Sequence, residues 1–67
     1  MRDWLVNERK KHNLTQLELA DRAGIARAYY AQIELELRTP SARIAKKLGA
    51  ALNVDWTRFY DEHESDS

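Results

Sequence analysis

An all-helical fold of five short helices is what this 67-residue chain predicts, and three observations carry the expectation. Apolar residues recur at the three- and four-residue spacing of a helix face, and no run alternates as a half-buried strand would. Interruptions are few, with two glycines and one proline in the whole chain. The residues that stop and start helices (Asn, Gly, Thr, Ser, Asp) stand at the edges of the periodic stretches.

The first helix is predicted from about Arg2 to His12, with Leu5, Arg9 and His12 on one stripe and Trp4 beside it. Asn13 ends it, because asparagine tolerates the left-handed backbone of a helix stop. Thr15 and Glu18 have the spacing of a capping box, in which the hydroxyl and the carboxylate each take an otherwise unpaired amide. The second helix turns Leu19, Ala20 and Ala23 inward and stops at Gly24, which is free to adopt positive φ. Only Gly24, Ile25 and Ala26 separate it from a third helix, running from Arg27 to about Leu35. A connection that short, led by glycine, predicts a steep helix-turn-helix. Thr39-Pro40-Ser41 breaks the chain, and Ser41 can cap a fourth helix that directs Ile44, Ala45, Leu48 and Leu52 inward and ends at Asn53. Asp55 is expected to cap a short fifth helix carrying Trp56, Phe59 and Tyr60.

Composition narrows the function before any site is considered. Residues 1–60 hold all 11 basic side chains and 7 of the 11 acidic ones, a net charge of +4. The other four acids, Asp61, Glu62, Glu64 and Asp66, fall in residues 61–67, which predict an acidic tail without fixed structure after one domain of residues 1–60. A body at +4 permits phosphate binding, although it is less basic than the usual nucleic-acid signature. With no cysteine there is neither a disulfide framework nor a zinc–thiolate site. No stretch reaches the roughly 18 apolar residues of a membrane span, and no signal-peptide pattern opens the chain. A cytoplasmic binding module is the expectation.

On a helical wheel the third helix separates Tyr30, Ile33, Glu34 and Leu37 from Ala28, Gln32, Leu35 and Glu36, with Arg27 at the N-terminal edge. A guanidinium, a small residue and an amide facing outward suit the major groove. Arginine takes guanine O6 and N7 together, glutamine takes adenine N6 and N7, and alanine lets the backbone approach. Taken alone, these three are also ordinary solvated residues.

Further stretches raise the specificity: Asn13-Leu-Thr-Gln-Leu-Glu-Leu-Ala20, Gly24-Ile-Ala-Arg-Ala-Tyr-Tyr-Ala-Gln-Ile-Glu34, Thr39-Pro-Ser41 and Leu48 through Val54. In this order and spacing the chain resembles the phage-repressor and Cro-type (XRE-like) helix-turn-helix regulators, over about 55 residues. The resemblance implies a compact five-helix, lambda-repressor-like domain that binds double-stranded DNA as a homodimer on a palindromic operator, acting as a repressor. It places base contacts on Arg27, Ala28 and Gln32, and phosphate contacts on Gln16, Tyr29, Arg38, Ser41 and Arg43. Adjacent rings at Tyr29 and Tyr30 also fit plain core packing. Arg9 and Glu34 are implied to form a largely buried ion pair, and two opposite charges on apolar faces need each other in any case. Leu37, Val54, Arg58 and Tyr60 are the candidate dimer contacts.

The chain departs from the family at Leu35-Glu36, where a polar residue followed by glycine is usual. A left-handed Glu36 costs on the order of 1 kcal/mol, so either the helix continues half a turn or the loop differs. The alternative function is an antitoxin or protein-interaction adaptor on the same fold, using the aromatic group and the acidic tail. Catalysis finds no residues: His12 lies at a helix C-terminus, His63 lies among tail acids, and neither has the partners of an active site or a metal site. No cofactor is expected.

Overall fold

The structure is a computed structural model that describes residues 1–61. Five helices follow in order: α1 (Asp3–Lys11), α2 (Gln16–Ala23), α3 (Arg27–Glu34), α4 (Ala42–Leu52) and α5 (Arg58–Asp61), with no strand among the described residues. The acidic tail inferred from the sequence lies outside the described residues, apart from Asp61, which closes α5.

Local chemistry sets most of the starts. At α2 both halves of the capping box form: Thr15 Oγ1 accepts from the Glu18 amide at 3.1 Å, and the Thr15 amide donates to Glu18 Oε1 at 2.8 Å. The Thr15 amide and hydroxyl hold the Glu18 carboxyl below its ordinary value. Ser41 Oγ caps α4 on the Ile44 amide at 3.4 Å. The fifth helix is shorter than its sequence predicts. Asp55 Oδ1 accepts from the Thr57 amide at 3.0 Å and from its hydroxyl at 2.8 Å, which holds 55–57 in a local turn and delays the helix to Arg58.

Four helices end in the same way. Each closes with an amide five residues beyond its carbonyl partner: Leu14 to Arg9 (3.1 Å), Ile25 to Ala20 (3.0 Å), Leu37 to Gln32 (2.9 Å) and Val54 to Gly49 (2.9 Å). The residue before each of those amides takes positive φ, namely Asn13 (57°), Gly24 (70°), Glu36 (63°) and Asn53 (57°). The third helix therefore does not run on. Glu36 adopts the left-handed conformation that glycine would accept more easily, and the chain reverses there. Leu37 accordingly lies past the helix end and is 70% exposed, which the sequence leaves open. One sequence expectation fails for the same reason at α1: His12, one residue past the helix, is exposed rather than on the stripe of Leu5 and Arg9.

The core is formed by Leu5, Leu14, Leu19, Ala20, Ala23, Tyr30, Ile33, Ala45, Leu48, Leu52 and Phe59. Helix α2 packs on both α3 and α4, and α1 packs on α3. Trp4 sets its ring edge-on to Phe59 at 4.9 Å, so α5 closes the bottom of the same core. Gly49 is buried within α4 because the chain returns tightly against it. A Cβ there would stand 2.8 Å from the Val54 carbonyl oxygen and 3.2 Å from Trp56 Cα.

One buried charge was not legible in the sequence. Arg2 is 3% exposed and lies against the C-terminal end of α3. Its amide donates to the Glu34 carbonyl at 2.6 Å, and its guanidinium donates to the carbonyl oxygens of Ile33 and, at 3.0 Å, Arg38. The same guanidinium lies 5.8 Å from the Phe59 ring centre. A cation at the negative end of a helix dipole, bonded to its unpaired carbonyls, takes the role of a C-terminal cap.

Candidate nucleic-acid interface

Helix α3 begins at Arg27, preceded by Ala26, whose extended backbone carries no side-chain cap, and it presents Arg27 and Ala28 to solvent on its first turn. Gln32 follows one turn on and is half-buried. The opposite side is anchored by Tyr30, Ile33 and Glu34, all buried.

Glu34 organises the neighbourhood. Its side chain is 2% exposed, and Oε2 accepts from Arg9 Nε at 2.7 Å and from the Tyr30 hydroxyl at 2.5 Å. Oε1 accepts from Gln16 Nε2 at 2.9 Å. Burial pushes this carboxyl up, but the hydrogen bonds from Arg9, Tyr30 and Gln16 outweigh it and leave it below its ordinary value. Burial and the Glu34 hydrogen bond together push the Tyr30 hydroxyl far up. Burial lowers the Arg9 guanidinium, yet its bond to Glu34 raises it on balance. Arg9 also donates to the Leu14 carbonyl at 2.9 Å, which ties the α1–α2 turn into the group.

The network reaches the surface through Gln16. A carboxylate can only accept, so the Gln16 amide nitrogen must face Glu34 and its oxygen must face out. That oxygen accepts from the Arg27 guanidinium at 3.0 Å. Gln16, placed by sequence among the phosphate contacts, therefore sits between the buried carboxylate and the outermost arginine of α3. A second group lies at the other end of the helix. Arg38 Nε donates to Gln32 Oε1 at 2.9 Å, and the Arg38 guanidinium lies 6.0 Å from the Tyr29 ring centre. Tyr29 is half-buried beneath it, while Tyr30 is the ring that enters the core. Ser41 and Arg43 are exposed at the start of α4, where Ser41 also serves as the cap.

The four candidate dimer residues are placed unequally. Leu37 is exposed, beside Leu35 at 50% exposure. Val54 and Tyr60 are half-buried, and the Tyr60 hydroxyl donates to the Pro40 carbonyl at 2.7 Å, joining α5 to the loop after α3. Arg58 is engaged within the chain, 4.6 Å from the Trp4 ring centre and 3.9 Å from Glu8 Oε2. Sequence reasoning missed the links Gln16–Glu34, Gln16–Arg27, Gln32–Arg38 and Tyr60–Pro40. Only the buried acid had a signal, in that a carboxylate on an apolar face requires several donors. Among the described residues no cluster of acids and histidines could hold a metal ion, and no helix is long and apolar enough to cross a membrane.

Two helices joined through Gly24–Ile25–Ala26, the second bearing outward polar side chains on its first turns, define a helix-turn-helix protein. The chain belongs to the helix-turn-helix family of the Cro/C1 (XRE) type, whose family model matches residues 5–59; this is a family of transcription regulators and not an enzyme class. It is 45% identical over 62 residues to YqaF of Bacillus subtilis (strain 168), an uncharacterized HTH-type transcriptional regulator, covering 92% of this chain and 82% of that protein. Over 60 residues it is 38% identical to the HTH-type transcriptional regulator SinR, also of Bacillus subtilis, covering 87% of this chain and 54% of SinR. An uncharacterized HTH-type regulator of Mycobacterium tuberculosis, Rv0474, is 33% identical over 57 residues, 85% of this chain and 41% of its own length. The chain thus spans about half or less of the last two relatives. No solved structure matches.

Proposed function

We propose that this chain is a sequence-specific, double-stranded-DNA-binding regulator that represses by occupying an operator in the cytoplasm. Helix α3 enters the major groove and α2 lies across the backbone. Arg27, Ala28 and Gln32 meet base edges, while Gln16, Tyr29, Arg38, Ser41 and Arg43 meet phosphates. One observation carries the reading. Arg27 and Gln32 sit outward on α3, each bonded to a side chain from a neighbouring element, so the helix offers ordered polar groups and not a loose charged surface. The body charge of +4 supports the attraction to phosphate.

Exposed Leu35 and Leu37 favour a protein contact as well, and we assign that contact to a second copy on a two-fold related site, not to an antitoxin or adaptor partner. Selection of binding sites from random duplexes tests the function. A palindromic motif is expected, with binding that falls steeply as salt rises. Arg27→Ala is expected to lose roughly 1–3 kcal/mol and relax one base pair in each half-site, whereas Arg43→Ala weakens all sequences alike. No enriched motif, or a salt-insensitive complex with another protein as the main activity, would overturn the reading.

A further inference from the structure

We propose that Arg38 is a positioning residue that fixes the direction of the Gln32 amide, so that Gln32 meets the groove as a hydrogen-bond donor and selects guanine over adenine. The inference rests on the function proposed above and deepens it.

A glutamine amide has one accepting end and one donating end. Free to turn, it reads adenine by accepting from N6 and donating to N7. Here the accepting end is already directed, since Gln32 Oε1 takes the Arg38 Nε–H at 2.9 Å. A guanidinium has donors and no acceptor, so turning the amide end for end would set N–H against N–H.

Arg38 is itself held from several sides. Its carbonyl receives the guanidinium of buried Arg2 at 3.0 Å, and its amide donates to the Gln32 carbonyl at 3.3 Å. Its guanidinium lies over the Tyr29 ring. The group that directs Gln32 is thereby tied to the C-terminal end of the helix that carries Gln32. Gln16 obeys the same logic in the opposite sense, its nitrogen fixed by the Glu34 carboxylate and its oxygen turned to Arg27.

With its oxygen directed to Arg38, Gln32 offers Nε2–H groups. Guanine presents two neighbouring acceptors, O6 and N7, whereas adenine sets its N6 donor beside N7. The donor end therefore matches guanine and meets a like group on adenine. Phosphate attraction alone does not require Arg38 to bond Gln32 and lie over Tyr29.

The test uses the full chain and measures affinity for selected sites and their single-base variants. Gln32→Ala identifies the base pair that Gln32 reads. At that pair the unmodified chain is expected to prefer guanine to adenine by about tenfold or more. Arg38→Met keeps the aliphatic stem and is expected to bring the ratio within about twofold at an unchanged melting temperature. If Arg38 serves phosphate alone, Arg38→Met will weaken every site equally and reduce the salt dependence without moving the ratio, and the proposal falls. Replacing the selected guanine by 7-deazaguanine removes one acceptor without changing the protein. Binding is expected to drop severalfold, and an unchanged affinity overturns the donor assignment. Adenine at that position, or no position altered by Gln32→Ala, overturns this inference while leaving the regulator reading intact. Absence of any enriched site overturns both.

Discussion

Glu34 shows how one buried side chain sets the properties of its neighbours. Its carboxylate is enclosed by Arg9, Tyr30 and Gln16, and each of these donates to it. Removing the acceptor leaves a largely buried guanidinium and two polar groups without their partner. Glu34→Ala is therefore expected to destabilise by about 3–5 kcal/mol. For a domain of this size that is most of the folding free energy, and circular dichroism at 25 °C should show a largely unfolded chain. A melting temperature near that of the unmodified protein would refute the assignment. The same residue predicts a pH dependence. Its folded-state pKa lies below the ordinary value of 4.5, so its contribution is complete above that value and is lost as pH falls through the lower, folded-state one. Thermal melts below about pH 4.5 should therefore fall more steeply for the unmodified chain than for Glu34→Gln, whose amide does not titrate.

At the scale of the element, the four left-handed helix ends divide by residue type. Gly24 takes the conformation freely and Asn13 and Asn53 tolerate it, but Glu36 holds its β-carbon against it. Two contacts accompany that strain: the Arg2 cap on α3, and an ion pair at 2.8 Å between the terminal amine of Met1 and Glu36 Oε2. The amine's pKa is raised mainly by its hydrogen bond to Glu36. Because both ion-pair partners are exposed, the pair stabilises little. Glu36→Gly is expected to raise stability by about 1 kcal/mol, or roughly 4–8 °C in melting temperature, and a lowered melting point would show that the ion pair outweighs the backbone. Gly49 presents the opposite case, a helical glycine retained for space. Gly49→Ala gains helix propensity of about 1 kcal/mol but drives a methyl into the Val54 carbonyl and the Trp56 backbone. The neighbours are backbone and cannot rotate away, so a net loss of about 1–2 kcal/mol is expected in denaturant titration. A gain in stability would mean that the return of residues 54–56 is easily displaced.

At the scale of the whole molecule, two of the four large apolar residues that the described residues expose, Leu35 and Leu37, stand in the segment after α3, while Met1 and Leu17 lie apart. The residue that follows each left-handed helix stop is apolar, and three of the four (Leu14, Ile25 and Val54) are buried or pack against the core. Leu37 occupies the equivalent place after α3 and is 70% exposed, next to half-exposed Leu35. A two-fold contact between copies through this segment would cover both and set two α3 helices about 34 Å apart, one turn of DNA. Binding to a palindrome is then expected to be cooperative, and moving one half-site by about five base pairs, half a turn, should abolish the cooperativity. Leu37→Glu should do the same without lowering the melting temperature. One protomer binding a single half-site as tightly as two bind the palindrome would exclude the dimer.

The sequence by itself determined most of the points where helices start and stop, because capping is chemistry among residues three to five apart. Thr15 with Glu18, Gly24, Ser41 and Asn53 could each be read from spacing alone. It also determined which face of α3 turns inward through Tyr30, Ile33 and Glu34, since that follows from helical periodicity. The sequence leaves the end of α3 open between a continued helix and a different loop, because no local residue explains why glutamate should accept a left-handed backbone, and it places the start of α5 too early. Tertiary structure decided the end of α3, through the guanidinium of Arg2 reaching Arg38, 36 residues away. It also decided the close return against Gly49 and the orientation of both glutamine amides, by setting a carboxylate beside one and a guanidinium beside the other. An amide carries no sign of its own direction in a sequence; only the charge placed next to it by folding selects which end faces out.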